Sequence, residues 1–190
     1  MPRPQDPQIT EAVLDAAMEL VAERGFASVS MEAIAARAGV GKPAIYRRFA
    51  DKRDVVVAAI ARALPPMEPS PAAGGARGHL RALIEQATPS EPERYAALIG
   101  GLMSEHRRHP ELIAAFRESI LLPRRAIVRA AIERAQREGV LRDDRDAELG
   151  VDLIGGAFLA RAYAGLPMDA AWREALFESW WSLFAREPVT

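Results

Sequence analysis

The sequence predicts an all-α protein, and three observations predict it. Apolar residues recur three and four positions apart, as at Val13, Leu14, Ala17, Leu20 and Val21. No stretch alternates apolar and polar residues over strand length, and no repeat at a fixed period is visible. Gly25, Gly39 and Gly139 fall where periodic runs stop, and Pro43 and Pro110 where new ones begin.

Composition sets the bounds. A chain of 190 residues holds one large or two small domains, and 49% hydrophobic residues can bury a sizeable core. The net charge of −1 argues against nucleic-acid attraction by the whole molecule, so any such attraction is local. Residues 1–64 carry nine basic and eight acidic side chains, a net +1, against sixteen and eighteen in the remainder, a net −2. The absence of cysteine excludes disulfide and thiol chemistry. No run of about 18 apolar residues suggests a membrane span, and Met1–Pro7 lacks the apolar core of a signal peptide. The expectation is a soluble, cytoplasmic protein with no membrane partner.

The first helix is expected from Asp6 and Pro7, a cap and first turn, to Gly25, with Phe26 folding back on its last turn. Residues 28–53 then read as two short helices joined by a tight turn. Ser30 can cap the first, and Glu32 sits in its first turn, where the helix dipole favours negative charge. Ile34, Ala35 and Ala38 form a small apolar face. Gly39 tolerates the left-handed conformation of a C-cap, and Val40 can pin the turn from inside. Pro43 opens the second helix, where its missing N–H costs nothing. Ala44, Ile45 and Phe49 give that helix apolar contact, and Lys42, Tyr46, Arg47 and Arg48 give it donors.

Asp51 caps a fourth helix reaching about Leu64, with Val55, Val56, Ala59, Ile60 and Ala63 inward. Lys52 and Arg53 in its first turn oppose the dipole, so an anionic partner is the expected reason for them. Six basic residues and one acid, Asp51, lie between Arg37 and Arg53. A helix, a glycine turn and a short basic second helix make a helix-turn-helix over residues 30–49, whose second helix enters the DNA major groove.

The proline- and glycine-rich stretch 65–78 breaks the pattern and marks a boundary. The division is a head over residues 7–67, a linker over 68–78 and a C-terminal region over 79–186. The latter starts with a short helix, His79 to Ala87, carrying Leu80, Leu83 and Ile84 inward. A helix follows from Glu93 to about Arg108, and another from Pro110 to about Glu138, with a kink expected at Pro123. Asp143, Asp144 and Asp146 offer caps for a helix over about 145–164. The last runs from about Asp169 to Arg186, with Trp172, Leu176, Trp180, Leu183 and Phe184 on one face.

Residues 9–64 resemble the DNA-binding head of the TetR family of bacterial transcriptional regulators. The resemblance rests on Ala16-Ala17, Gly25-Phe26, Ile34-Ala35, Ala38-Gly39-Val40, Ile45-Tyr46-x-x-Phe49 and Lys52, in order and at helical spacing. It implies an all-α homodimer of about nine helices, with the helix-turn-helix head joined to a C-terminal helical bundle. It also implies phosphate contacts from Tyr46 and Lys52 and base contacts from the first turns of the second helix. The DNA-binding set is then Ser30, Lys42, Pro43, Ala44, Tyr46, Arg47, Arg48 and Lys52. Two departures stand out. Thr10 replaces a residue that is often basic, and Gly41 and Ala44 replace hydroxyl side chains, leaving Lys42, Arg47 and Arg48 to read bases.

In the C-terminal region, Leu98, Leu102, Met103, Phe116, Ile120 and Phe158 are core or ligand wall. Bundles hold ligands between helices, and the resemblance favours a pocket for a small-molecule effector. Gly155 and Gly156 lie mid-helix, where each costs about 1 kcal/mol against alanine. Close packing within one chain or across a dimer would explain them. With Trp172, Leu176 and Trp180, a homodimer interface is the preferred reading, and the family uses its last two helices that way. His106 and His109 share metal-like spacing, but no cysteine lies nearby, and a helix end is the reading taken. No catalytic motif and no cofactor or metal site appears.

The function expected is a regulator, a repressor released from a palindromic operator when a small molecule binds. Two alternatives stand: a helical ligand-binding or enzymatic domain with a vestigial head, and a DNA-binding structural protein without an effector.

Overall fold

The computed structural model describes residues 6–64, 67, 74–89 and 92–186, with the side chains of all of these except 93, 94 and 98. Linker residues 68–73 lie outside the described residues, as does the Leu98 side chain. Among the described residues no strand forms. An isolated antiparallel bridge joins Leu141 and Ala185. The chain divides into two compact units, residues 1–63 with 97–120, and residues 64–96 with 121–190.

The first unit begins with α1 (Pro7–Arg24) and a single 3-10 turn (Phe26–Ser28), followed by α2 (Met31–Arg37), α3 (Lys42–Tyr46) and α4 (Lys52–Arg62). Three starts are capped as the residue types dictate. Asp6 accepts from the Gln8 amide at 3.0 Å, Ser30 from Ala33 at 3.1 Å and Asp51 from Asp54 at 3.0 Å. Lys42, not Pro43, is the first residue of α3, with Gly41 at its N-cap. At the end of α2, Gly39 takes φ 67°. Its amide donates to Ala36 O at 3.2 Å and that of Val40 to Ala35 O at 2.9 Å. This paired closure satisfies two orphan carbonyls and turns the chain sharply into α3.

The core of this unit is Val13, Ala17, Leu20, Ile34, Ile45, Val55 and Ile60, all fully buried. Residues 97–120 join it. They comprise the second half of α6 (Pro92–Ser104), α7 (Pro110–Phe116) and most of a π turn (Arg117–Leu121). The compact unit is thus larger than the stretch the proline-rich boundary marks, because buried Leu102, Leu112, Ile113 and Phe116 pack in it. α6 stops at Ser104, four residues before the expected end.

The second unit holds α5 (Gly75–Ala87), the first turn of α6, α8 (Leu122–Arg137), α9 (Ala147–Tyr163) and α10 (Ala170–Phe184). Counting the uninterrupted helical run of α7, the π turn and α8 once, the described residues form nine helices. The disturbance expected at Pro123 takes the form of the π turn. Proline lacks a donor and crowds the carbonyl four residues back, so the preceding turn widens. α5 starts four residues earlier than periodicity suggested, taking in Gly75 and Gly78. Asp146 and Asp169 cap α9 and α10, accepting from Glu148 and Trp172 amides at 2.8 Å each.

Leu80, Leu83, Ile132, Leu141, Phe177, Trp180 and Phe184 centre this unit's core. Its tightest approach is at Gly150 of α9. A Cβ there would stand 3.0 Å from Ile132 Cδ1 and 3.2 Å from Phe184 Cε1. The bare backbone also lets Trp180 Nε1 donate to Gly150 O at 3.0 Å.

Candidate nucleic-acid interface

The helix-turn-helix is built from α2 and α3, and Ile34 and Ile45, both fully buried, seat it on the unit's core. What remains outside decides its chemistry. Lys42 at the start of α3 is exposed and meets Glu32 of α2 at 3.1 Å. A bond from its own backbone amide, then the Lys42 ammonium, hold the Glu32 carboxyl below the usual range. Tyr46 is 49% exposed on the next turn. Arg47 beside it is exposed, as are Pro43 and, in part, Ala44. Ser30 is exposed, its hydroxyl oxygen occupied by the cap.

Arg37, Arg48, Lys52 and Arg53 also bond within the head. Arg37 bridges α2 to α1, bonding Glu19 at 3.0 Å and Glu23 at 2.9 Å. Its guanidinium is held firmly in the charged form by those two carboxylates, and the Glu23 carboxyl is lowered in return. Arg48 donates from Nε to Thr10 Oγ1 at 3.1 Å, from Nη1 to Ala44 O at 2.9 Å and from Nη2 to Asp6 O at 3.2 Å. Arg48 is therefore a brace between α3 and the start of α1.

Thr10, expected as a lost phosphate contact, is instead the acceptor that this brace needs. Lys52 donates from Nζ to the carbonyls of Phe26, Ala27 and Val29 at 3.0, 3.3 and 3.0 Å, with Nζ 4.4 Å from the Phe26 ring centre. Three carbonyls in and beside the 3-10 turn give a cation at this helix N-terminus a reason within the chain. Arg53 likewise meets Asp51 at 3.2 Å and Asp54 at 3.7 Å.

Lys42, Tyr46 and Arg47, framed by Pro43 and Ala44, are the donor-bearing side chains on the exposed side of α3. Side chains with donors at the start and end of α3 can bond phosphate oxygens and base edges, while Ile45 anchors the helix below.

The expected ligand-wall residues divide between the two units, Phe158 in the second and the others in the first. Leu102 lines a cavity in the first unit, walled also by Val21, Val56, Ile60 and Leu112. Phe116 and Ile120 are buried in the same unit but do not line that cavity, and Met103 is 48% exposed. Phe158 belongs to the core of the second unit, its ring edge-on to Trp172 at 5.1 Å. The enclosed volume is about 10 Å³, room for a single water molecule and far below the size of ordinary ligand sites.

The dimer candidates also separate. Trp180 is 2% exposed and stacks on Phe184 at 4.6 Å. It is a core residue of its own chain, which corrects its place in an exposed patch. The buried face of α10 is Phe177, Trp180 and Phe184, with Leu183 turned outward. Phe177 was missed by sequence reasoning, although its spacing of three and seven from Trp180 and Phe184 signals it. Trp172 and Leu176 are half-buried. Gly155 and Gly156 are exposed, and a Cβ on either would meet nothing within 4 Å. The glycine that permits close packing within the chain is Gly150, which also went unread. Leu149, Leu153, Leu159 and Tyr163 are exposed on the same helix.

His109 stands at the N-cap of α7 without a side-chain capping bond. Its Nδ1 lies 3.1 Å from Glu111 Oε1, and its ring is edge-on to Phe26 at 5.1 Å. Among the described residues no group of histidines and carboxylates is arranged for a metal ion, and no helix is long and apolar enough to cross a membrane.

Comparison with known proteins agrees with this geometry. Residues 13–59 match the family profile of bacterial regulatory proteins of the tetR family, and residues 70–179 that of the tetracyclin repressor-like C-terminal domain. The HTH-type transcriptional regulator YdeS of Bacillus subtilis (strain 168) is 28% identical over 84% of this chain and 80% of its own. Among solved structures, the flavonoid-responsive regulator FrrA is 24% identical, with a TM-score of 0.60 over 96% of this chain and 100% of its own. NalD, the secondary repressor of the MexAB-OprM multidrug efflux pump in Pseudomonas aeruginosa, is 20% identical, with a TM-score of 0.65 over 96% of this chain and 99% of its own. With the helix-turn-helix and both halves of the family profile in place, the chain belongs to the TetR family of bacterial transcriptional regulators, which bind DNA and are not enzymes.

Proposed function

We propose that the protein is a cytoplasmic repressor, binding a palindromic operator as a homodimer and leaving it when a small molecule binds. Residues 7–67 would read DNA, and residues 79–186 would sense the effector and hold the dimer. The observation that carries the reading is the sorting of cations in the head. Arg37, Arg48 and Lys52 brace the helices, and Lys42, Tyr46 and Arg47 stay on the outer side of α3. Rigid support beneath a donor-bearing helix is what groove recognition needs.

The dimer reading is supported by Gly156, which faces open space on the same helix face as exposed Leu149, Leu153 and Tyr163. An apolar stripe with a bare backbone position suits a twofold partner presenting the same stripe. Two heads would then meet half-sites about 34–36 Å apart, and an effector that changes their spacing would weaken binding. FrrA is named as flavonoid-responsive and NalD as a repressor, which supports an effector-released repressor here as well.

Gel shifts on genomic fragments, followed by footprinting, test the DNA half of this reading. A protected inverted repeat is the expected result, and the absence of any sequence-specific band rejects it. Sedimentation velocity tests the dimer. Gly156→Leu and Leu153→Glu should each shift the protein towards monomer at micromolar concentration with helix content intact. Two variants that remain dimeric would place the interface elsewhere.

A further inference from the structure

The outer face of the helix-turn-helix carries one residue of the wrong sign. Residues 30–49 hold four basic side chains, Arg37, Lys42, Arg47 and Arg48, and a single acid, Glu32. A carboxylate on a surface that meets phosphates repels them, so its place there needs a reason. Stability does not supply one. Glu32 pairs with Lys42 at 3.1 Å, but both side chains are more than half exposed, and ion pairs of that kind add little to folding.

Both ends of the pair stand on fixed backbone. Glu32 lies in the first turn of α2, behind the Ser30 cap, and Lys42 opens α3. Fully buried Ile34 and Ile45 seat the two helices, and Gly39 at φ 67° makes the turn between them. A bond from its own amide and the Lys42 ammonium hold Glu32 in the charged form, so its carboxylate can only accept hydrogen bonds. The ammonium has three donors and directs one to Glu32. Two remain. The tether also keeps the ammonium from the nearest phosphate, which would draw a free lysine regardless of sequence.

Donors and an acceptor side by side match one base pair better than the other. In the major groove guanine presents the acceptors N7 and O6 next to each other, and its cytosine presents an N4 hydrogen beyond them. O6 and N4 are hydrogen-bonded within the base pair, so they stand about 3 Å apart, as the ammonium and carboxylate do here. An A·T pair places its donor between two acceptors, so two donors on one nitrogen meet only one of them.

We infer that Glu32 and Lys42 read one G·C pair as a unit, Lys42 donating to guanine N7 and O6 and Glu32 accepting from cytosine N4. Glu32 is then a specificity-determining residue outside the reading helix. Its role rests on α3 entering the groove, as proposed for the operator, and gives α2 a base contact of its own.

Binding-site selection with the full-length protein, Glu32→Ala and Lys42→Ala tests this, with fluorescence anisotropy on the selected duplex and on an unrelated one. The native protein should select an inverted repeat with G·C at one symmetric pair of positions. Each variant should lose preference at those positions and at no others, by about tenfold, the worth of one good base contact. Glu32→Ala, with native circular dichroism, should bind the unrelated duplex as tightly as before or more tightly, because a negative charge has gone. An unaltered preference in Glu32→Ala, effects of the two variants at different positions, a base pair other than G·C there, or equal weakening on both duplexes overturns the inference and leaves the operator reading intact. Selection of no sequence by the native protein overturns both.

Discussion

The neighbourhood of α3 and the middle of α9 each gather one residue type, and the fold sorts the two groups by different means. Around α3 the type is the cation. Arg48 and Lys52 turn back onto Thr10, Asp6 and the carbonyls of the 3-10 turn, while Lys42 and Arg47 stay outside. On α9 the type is glycine. Gly150 lies against Ile132 and Phe184, whereas Gly155 and Gly156 face open space. Helix phase explains the second case, since positions 155 and 156 stand about 140° and 240° round the axis from 150. No such rule explains the first. Long flexible cations go wherever unsatisfied acceptors lie within reach, and those acceptors come from distant parts of the chain. Short side chains are sorted by the helix that carries them, long ones by what the tertiary fold offers.

The sharpest way to break this comparison is on α9. Gly150→Leu should destabilise the protein by about 3 kcal/mol, because its side chain would overlap Ile132 and Phe184. Gly155→Ala, with open space around it, should instead stabilise the monomer by about 0.5–1 kcal/mol through helix propensity. Urea denaturation midpoints measure both. Like signs for the two would end the distinction between them.

The cations come next. Arg48→Ala and Lys52→Met each remove three internal hydrogen bonds and should cost about 1–3 kcal/mol of stability. Arg47→Ala should leave stability within about 0.5 kcal/mol and lose DNA discrimination of about 1–3 kcal/mol at one symmetric pair of operator positions. Denaturation curves beside binding-site selection separate the two outcomes. An unchanged site preference removes Arg47 from the readers, and native stability of Lys52→Met removes the brace.

A smaller effect is expected for Tyr46→Phe. Loss of one hydroxyl should weaken binding to all DNA sequences about equally, because phosphate contacts carry no sequence information. Fluorescence anisotropy on operator and on unrelated duplexes reads it, and a changed operator preference would count against it.

The smallest effect is a pH dependence in the second unit, where His79 is buried with an unpartnered Nε2. Burial first, then the Arg134 charge, pushes its imidazolium pKa down. As pH falls through the ordinary histidine value of about 6.5, the unfolded chain takes up a proton that the folded chain resists. Stability should therefore be full above that value and decline below it, and His79→Leu should flatten the decline. Identical stability profiles between pH 7 and 5 for the two proteins would show that His79 is not the cause.

The residues by themselves determined the helical class, the caps at Asp6, Ser30 and Asp51, and the glycine turn at Gly39. Each of these depends on neighbours a few positions away in the chain, so local spacing is enough. The same holds for the helix-turn-helix, whose signals all lie within residues 30–49. Only the tertiary structure decided the burial of Trp180, the extension of the first unit to residues 97–120, and the tying of Lys52 to carbonyls more than twenty positions earlier. It also decided that Arg48 meets Thr10, thirty-eight residues away, and that Glu105 ends beside Gly25. In each of these the partner is remote in sequence, and Arg48, Lys52 and Trp180 are placed by which acceptor folding brings within about 3 Å. Chain order does not encode that distance.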